Sequence, residues 1–337
     1  MDVTNLKAEN VMVAGGAGFV GSQLVRELLE LGANVMVYDN FLHGTRANLD
    51  EVKDDVAIVV GDLLDEWKLF KVLRTHRPKY VFDLVGDTYV PTAYDVPKRF
   101  FRINVEGTLN VLMACKEFDV SRVLYVSSTE VYGEANSVPM TENHALLPLN
   151  TYAVSKLAAD RLCFTFHHEH DIPVIIARIY NCYGPRETEP YVIPEIITQL
   201  DKGPVLYLGN LEARRDFTYV ADTARGLIAT LCSEIPNGEA VNVGSNVSYS
   251  VRELATVIAE LMGRDDCEIR VDERRLRRFD IEVFQCDPSK LQKATGWRPR
   301  VPFREGLRMT IDWFNGHGRR WSWEDWVDGA LVYDASV

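Results

Sequence analysis

Long apolar runs, paired cysteines and clustered basic residues are what this chain lacks. No hydrophobic run approaches the roughly 20 residues that a membrane-crossing helix needs, so no membrane partner is expected. Met1 to Asn10 is polar and the apolar stretch 11–14 is too short for a secretory signal. The six cysteines (Cys115, Cys163, Cys182, Cys232, Cys267 and Cys286) form no CxxC or Cys/His spacing. They read as thiols in a reducing compartment, which places the protein in the cytoplasm and predicts no metal site. Net charge is −12, and only Arg274-Arg275-Leu276-Arg277-Arg278 is a basic cluster, so no nucleic-acid partner is expected. There are no internal repeats and no low-complexity segments.

What the 337 residues do contain is alternation. Apolar runs at 11–14, 34–38, 56–60, 80–85, 122–127, 174–180 and 240–243 are mostly followed by stretches of helical pattern, such as 22–31, 68–75, 101–118 and 152–170. This rhythm predicts an α/β protein with a doubly wound (Rossmann) parallel sheet of about seven strands. It holds to about residue 180 and then loosens at the Pro- and Gly-rich stretch 183–194. We therefore expect a dinucleotide-binding domain over 1–180, joined by returning segments at about 215–245. A smaller α/β substrate lobe is expected from 181–214 and 246–320, with an acidic, aromatic tail at 321–337.

Two local patterns carry chemistry. The first strand runs into Gly15-x-x-Gly18-x-x-Gly21 at the start of a helix. Glycines there let the backbone turn tightly and approach a pyrophosphate, which sits on the helix N-terminus. Asp39, 18 residues after Gly21, ends the second apolar run where a carboxylate meets a ribose 2′-hydroxyl. It repels a 2′-phosphate, which favours NAD over NADP. Gly61-Asp62 closes the third run; Asp62 reads either as an adenine neighbour or as a helix N-cap. The second pattern is Tyr152-x-x-x-Lys156, whose side chains share one helix face. A neighbouring ammonium favours a phenolate, and the expectation is a tyrosine pKa lowered from about 10 toward neutrality. Such a tyrosine takes a proton from an alcohol while hydride leaves for a nicotinamide. Ser127 to Gly133 adds hydroxyls at the fifth strand end.

These motifs, with Asn104-Val-Glu-Gly-Thr-Leu-Asn110, Arg178-Ile-Tyr-Asn-Cys-Tyr-Gly-Pro185 and Arg214-Arg-Asp-Phe-Thr-Tyr-Val220, resemble the extended short-chain dehydrogenase/reductases. Within them the chain looks like the nucleotide-sugar epimerases and dehydratases, over about residues 9 to 315. The resemblance implies Tyr152 as acid/base and Lys156 as its tuner and ribose ligand. It implies Ser128 on the sugar hydroxyl, with Thr129 and Glu130 beside it. NAD would contact Gly15, Gly18, Phe19, Val20, Gly21, Asp39, Asn40, Asp62, Leu63, Leu84, Val85, Asn104, Tyr152 and Lys156. A nucleotide sugar would meet Ser128, Asn181, Val192 and Arg215, and either Arg277 or Arg278 through its diphosphate; the other reading of that arginine run is a solvated surface. A homodimer through a four-helix bundle of the helices near 104–118 and 152–170 is implied as well. The chain departs from the family's His-x-Ala-Ala at the fourth strand end, where it has Asp83-Leu84-Val85-Gly86 and then Asp87.

The implied reaction begins with oxidation of a sugar hydroxyl at C4. Related dehydratases carry Asp-Glu before Val-Tyr-Gly, and UDP-glucuronate decarboxylases carry Ser-Glu; this chain carries Thr129-Glu130. The leading expectation is a 4-epimerase of UDP-sugar type, with UDP-glucuronate decarboxylase and 4,6-dehydratase as alternatives. A non-catalytic NAD or nucleotide-sugar binder is the contrasting class, and the intact Ser128, Tyr152 and Lys156 count against it.

Overall fold

The computed structural model describes residues 6–276 and 279–321. The strands are β1 (Asn10–Ala14), β2 (Asn34–Asp39), β3 (Ala57–Val60), β4 (Tyr80–Asp83), β5 (Arg122–Ser128), β6 (Val174–Ile179), β7 (Asn181–Tyr183), β8 (Val205–Leu208), β9 (Arg214–Tyr219), β10 (Ala240–Val243), β11 (Ser248–Ser250) and β12 (Glu268–Val271). Each of the seven apolar runs forms a strand of one sheet, ordered β10-β6-β5-β4-β1-β2-β3. All its neighbours pair in parallel.

Successive side chains on a strand point to opposite faces, so each strand serves two cores. Val11, Val13, Val35 and Val37 face one way, toward helices Phe19–Glu30 and Val220–Leu231. Met12, Ala14, Met36 and Tyr38 face the other, toward helices Glu66–His76, Gly107–Glu117 and Thr151–His170. Burial on both faces is why these runs are continuously apolar. From β3 the chain crosses β2 and β1 to reach β4. The winding reverses there, and the ends of β1 and β4 part to leave a crevice.

Beyond β6 lie a three-stranded sheet, β11-β9-β7, and a two-stranded one, β12-β8. They share a core with helices Val192–Lys202, Val251–Leu261 and Phe303–Gly316. Two expectations change. The return to the large sheet was placed near 215, but β9 belongs to the small sheet. Its buried Asp216 accepts the N–H groups of Ser245, Asn246 and Cys286, which fixes the strand in that lobe. The return begins at Val220 and ends with β10. The single helix expected over 101–118 is also broken, into Pro97–Phe101, a π-turn Arg102–Glu106 and Gly107–Glu117. Inward-turned Asn104 sits in the widened turn, a common place for a functional side chain. Of the tail, Trp321 is buried on Phe314 and donates to Thr198; residues 322–337 lie outside the described residues.

Candidate active site

The C-terminal strand ends open into a cleft of about 1200 Å³. Gly15 turns the chain at φ +79°, and a Cβ there would stand 3.2 Å from the Leu84 carbonyl carbon and the Val85 nitrogen. A Cβ on Gly21 would lie 2.0 Å from the Gly15 carbonyl oxygen. Only glycine lets the helix start against its own turn. That helix has no side-chain N-cap, and Gly18, Phe19, Val20 and Gly21 line the cleft. Uncapped N–H groups and the positive end of the dipole suit a diphosphate.

Asp39 accepts the Ala17 N–H at 2.9 Å on Oδ2 and the Phe41 N–H at 2.8 Å on Oδ1. These bonds lock β2 to the turn, and the carboxylate's remaining lone pairs are available to ribose hydroxyls. Burial raises its pKa while the two backbone bonds oppose the rise. Asn40 donates to Asp62 Oδ2 at 2.9 Å, and Asp62 Oδ1 accepts the Leu64 N–H at 2.9 Å. The next helix is capped by Asp65, so Asp62 is no N-cap; with Leu63, Leu84 and Val85 it lines the cleft. Asn104 does not. It is fully buried behind the lining, joined to the Asp87 N–H at 2.8 Å, the Asp87 carbonyl at 3.1 Å and Ser155 Oγ at 2.9 Å. It holds the β4 loop against the helix that carries Tyr152.

That helix, Thr151–His170, is capped by Asn150, whose Oδ1 accepts the Ala153 N–H at 2.8 Å. Asn150 Nδ2 donates to Glu130 Oε2 at 3.0 Å. Glu130 is thereby tied to the start of the helix. Ser128 ends β5, accepts the Glu130 N–H at 3.2 Å and hydrogen-bonds Tyr152. Thr129 is buried at the cleft wall beside them. Below the helix start, Asp160 binds Arg178 at 2.9 and 3.0 Å and accepts Ser127 Oγ at 2.8 Å, all fully or nearly fully buried.

The electrostatics reverse one expectation. Burial drives the Tyr152 pKa up, opposed by the Ser128 hydrogen bond and reinforced by Glu130. Lys156 does not pull it down: its Nζ donates to the Val126 carbonyl at 2.6 Å and lies 4.5 Å from the Tyr125 ring centroid. Burial lowers Lys156 to about 8, with Asp83 as the foremost opposing charge. Burial likewise raises Asp83 to about 6, and Lys156 restrains it. The departure at Asp83 thus places a buried carboxyl behind the lysine.

On the far wall, Asn181, Val192 and Arg215 line the cleft. Arg215 donates to the Ile281 carbonyl at 2.8 Å and to Asp280 at 2.9 Å, and Asp280 accepts Asn210 at 3.0 Å. Arg275 reaches Glu195 at 2.8 Å, whereas Arg274 is 89 % exposed and pairs with Asp272. Arg277 and Arg278 lie outside the described residues. His43, Thr88, Glu187, Glu189 and Tyr191 also line the cleft; stretches 86–94 and 183–200 were expected to shape the sugar pocket, but no motif singled out a side chain in them, and His43 was missed. The signal available was two carboxylates in a Gly- and Pro-rich connection just after a strand.

A crevice at the winding reversal, a glycine turn under an uncapped helix and a Ser–Tyr–Lys set together define a dinucleotide-binding enzyme class. Comparison narrows it. The family model described as GDP-mannose 4,6 dehydratase matches residues 12–310. The chain is 30 % identical over 342 residues to a dTDP-glucose 4,6-dehydratase of Xanthomonas campestris, covering 95 % of each. It is similar to the crystal structure of a UDP-glucose 4-epimerase with UDP-glucose from Thermotoga maritima (TM-score 0.85, 28 % identity, 91 % of this chain and 99 % of that one). It is also similar to a Streptomyces venezuelae dTDP-glucose 4,6-dehydratase with NAD bound (TM-score 0.86, 30 % identity, 93 % and 99 %). The chain belongs to the extended short-chain dehydrogenase/reductase family of NAD-dependent nucleotide-sugar epimerases and dehydratases.

Proposed function

We propose that the protein is an NAD-dependent nucleotide-sugar 4-epimerase working through a transient 4-keto sugar. The observation that carries this reading is the wall beside Tyr152. Position 129 is a buried threonine, and Glu130 is bound by Asn150 at the helix start. The dehydratase pair of acids is therefore incomplete, while the Ser128–Tyr152 pair is intact. The glycine turn and Asp39 would hold NAD, which would supply the acceptor and donor of the C4 hydride. Ser128 orients the C4 hydroxyl, and Tyr152 accepts its proton and returns it to the same oxygen once the keto sugar has turned its other face to the hydride donor. Lys156, with its Nζ on the Val126 carbonyl at the cleft wall, would hold the nicotinamide ribose, and Arg215 grips the diphosphate. Asp39 selects NAD over NADP.

A 4,6-dehydratase is the second reading, favoured by the dehydratases among the similar proteins. Tyr152→Phe tests the common first step. It should cut turnover by at least about 10²–10⁴-fold and leave NAD bound, because only the ionisable hydroxyl is lost. Unchanged turnover would remove Tyr152 from the chemistry.

A further inference from the structure

We infer that segment 186–191 is a strap closing the cleft over the bound dinucleotide, and that His43 is its latch. The inference rests on the cofactor reading above and not on which sugar reaction follows. The segment belongs to the connection after β7, yet three of its residues are fastened to the large sheet's side. Arg186 donates to Gln23 at 3.1 Å, on the helix that follows the glycine turn. Glu189 lies 2.8 Å from His43 Nδ1, on the loop after β2. Tyr191 donates to Thr88 at 2.9 Å, on the loop after β4, and its ring meets Tyr89 edge-on. The three anchors span the ends of β1, β2 and β4, where the glycine turn, Asp39 and Leu84 line the cleft. Glu187, Thr188 and Tyr191 form its opposite wall.

The middle anchor is the strongest. His43 Nε2 lies 2.8 Å from Asp87, itself only 1 % exposed and held by Arg99 at 2.6 Å. Removing one member of a buried charge cluster leaves the others uncompensated, so such a contact opens at high cost. The groups facing His43 are Asp87 and Glu189, the Arg99 cation and the more distant Asp39. Burial works against the charged ring, but the two carboxylates outweigh it and hold His43 at about 9. A histidine raised above its ordinary ~6.5 contributes fully below that value and loses its contribution as pH rises through the higher one. The strap should therefore loosen between about pH 7 and pH 10.

The experiment is hydrogen–deuterium exchange at 186–191 together with the NAD dissociation rate, in wild type and in Glu189→Gln. At pH 7 the variant should lose protection in the strap and release NAD about tenfold faster, the effect of one charge-assisted hydrogen bond. Raising the pH to about 10 should bring the strap protection of wild type, taken relative to intrinsic exchange rates, to the variant's level and move the variant's protection little. His43→Gln should behave alike, and serves if Glu189→Gln does not fold. Protection and release equal to wild type in the folded variant, or the same pH response in both proteins, overturns the latch. If NAD does not bind at all, the cofactor reading fails, and exchange in the ligand-free protein still decides the strap.

Discussion

Lys156 is the residue on which the chemistry is most exposed to its surroundings. Held near 8, it carries its charge below that pH and loses it above. Tyr152, driven upward by burial, ionises more readily as pH rises. kcat/KM should therefore climb with pH and level off near 8, where loss of the lysine charge cancels the gain in phenolate. Asp83→Asn removes the anion that opposes burial, so Lys156 should fall further and the break in the profile should move to lower pH. A profile that does not move would show that Asp83 does not tune Lys156. Glu130 gives a second test. Its structural partner is Asn150, and a glutamine carbonyl can accept the same hydrogen bond. Glu130→Gln should keep most of the epimerase rate, whereas Glu130→Ala should weaken the helix cap by about 1 kcal/mol and lower kcat. Loss of most of the rate in Glu130→Gln alone would point instead to an acid/base role.

Among the elements, the junction of β5, β6 and helix Thr151–His170 is the least tolerant of change. Arg178 and Asp160 are 4 % and 0 % exposed, and Ser127, Tyr132 and Asn242 extend the network. Asp160→Ala strands a buried guanidinium and should cost about 3–5 kcal/mol in denaturant unfolding. A cost below about 1 kcal/mol would mean that water or another acceptor replaces the carboxylate. This scale also shows what can be read from a sequence. The seven strands are legible because burial on both faces makes each an unbroken apolar run. The glycine turn and Tyr152–Lys156 are legible because their partners are near in sequence. The π-turn at Asn104 is not, since its cause is Asp87 and Ser155, brought there only by packing. β9 was misplaced for a similar reason: Asp216 is fixed by N–H groups 29 to 70 residues away. The strap was invisible because His43, Asp87 and Glu189 form no pattern along the chain. The Tyr152 shift was misjudged because helix spacing gives a shared face but not where the ammonium ends.

At the scale of the whole molecule, two helices of the large domain carry apolar side chains that the core leaves uncovered. Met113, Val154 and Phe164 project from helices Gly107–Glu117 and Thr151–His170 with 36–40 % of their surface exposed. Leu112, by contrast, is spent on the core. A two-fold pairing of these helices would cover that face. Light scattering at micromolar concentration should give twice the chain mass, and Phe164→Glu should return it to the monomer; a monomeric wild type contradicts the pairing. No helix among the described residues is long and apolar enough to cross a membrane. In the proposed reaction the cleft oxidises C4 of a nucleotide sugar and re-reduces it on the other face. Its most direct test is the mass of the product when the purified protein, with NAD, is offered a panel of nucleotide sugars. An epimerase returns a product of unchanged mass and inverted C4, read by mass spectrometry and NMR. A product lighter by one water or one carbon dioxide would contradict the account and assign the protein to the dehydratases or decarboxylases.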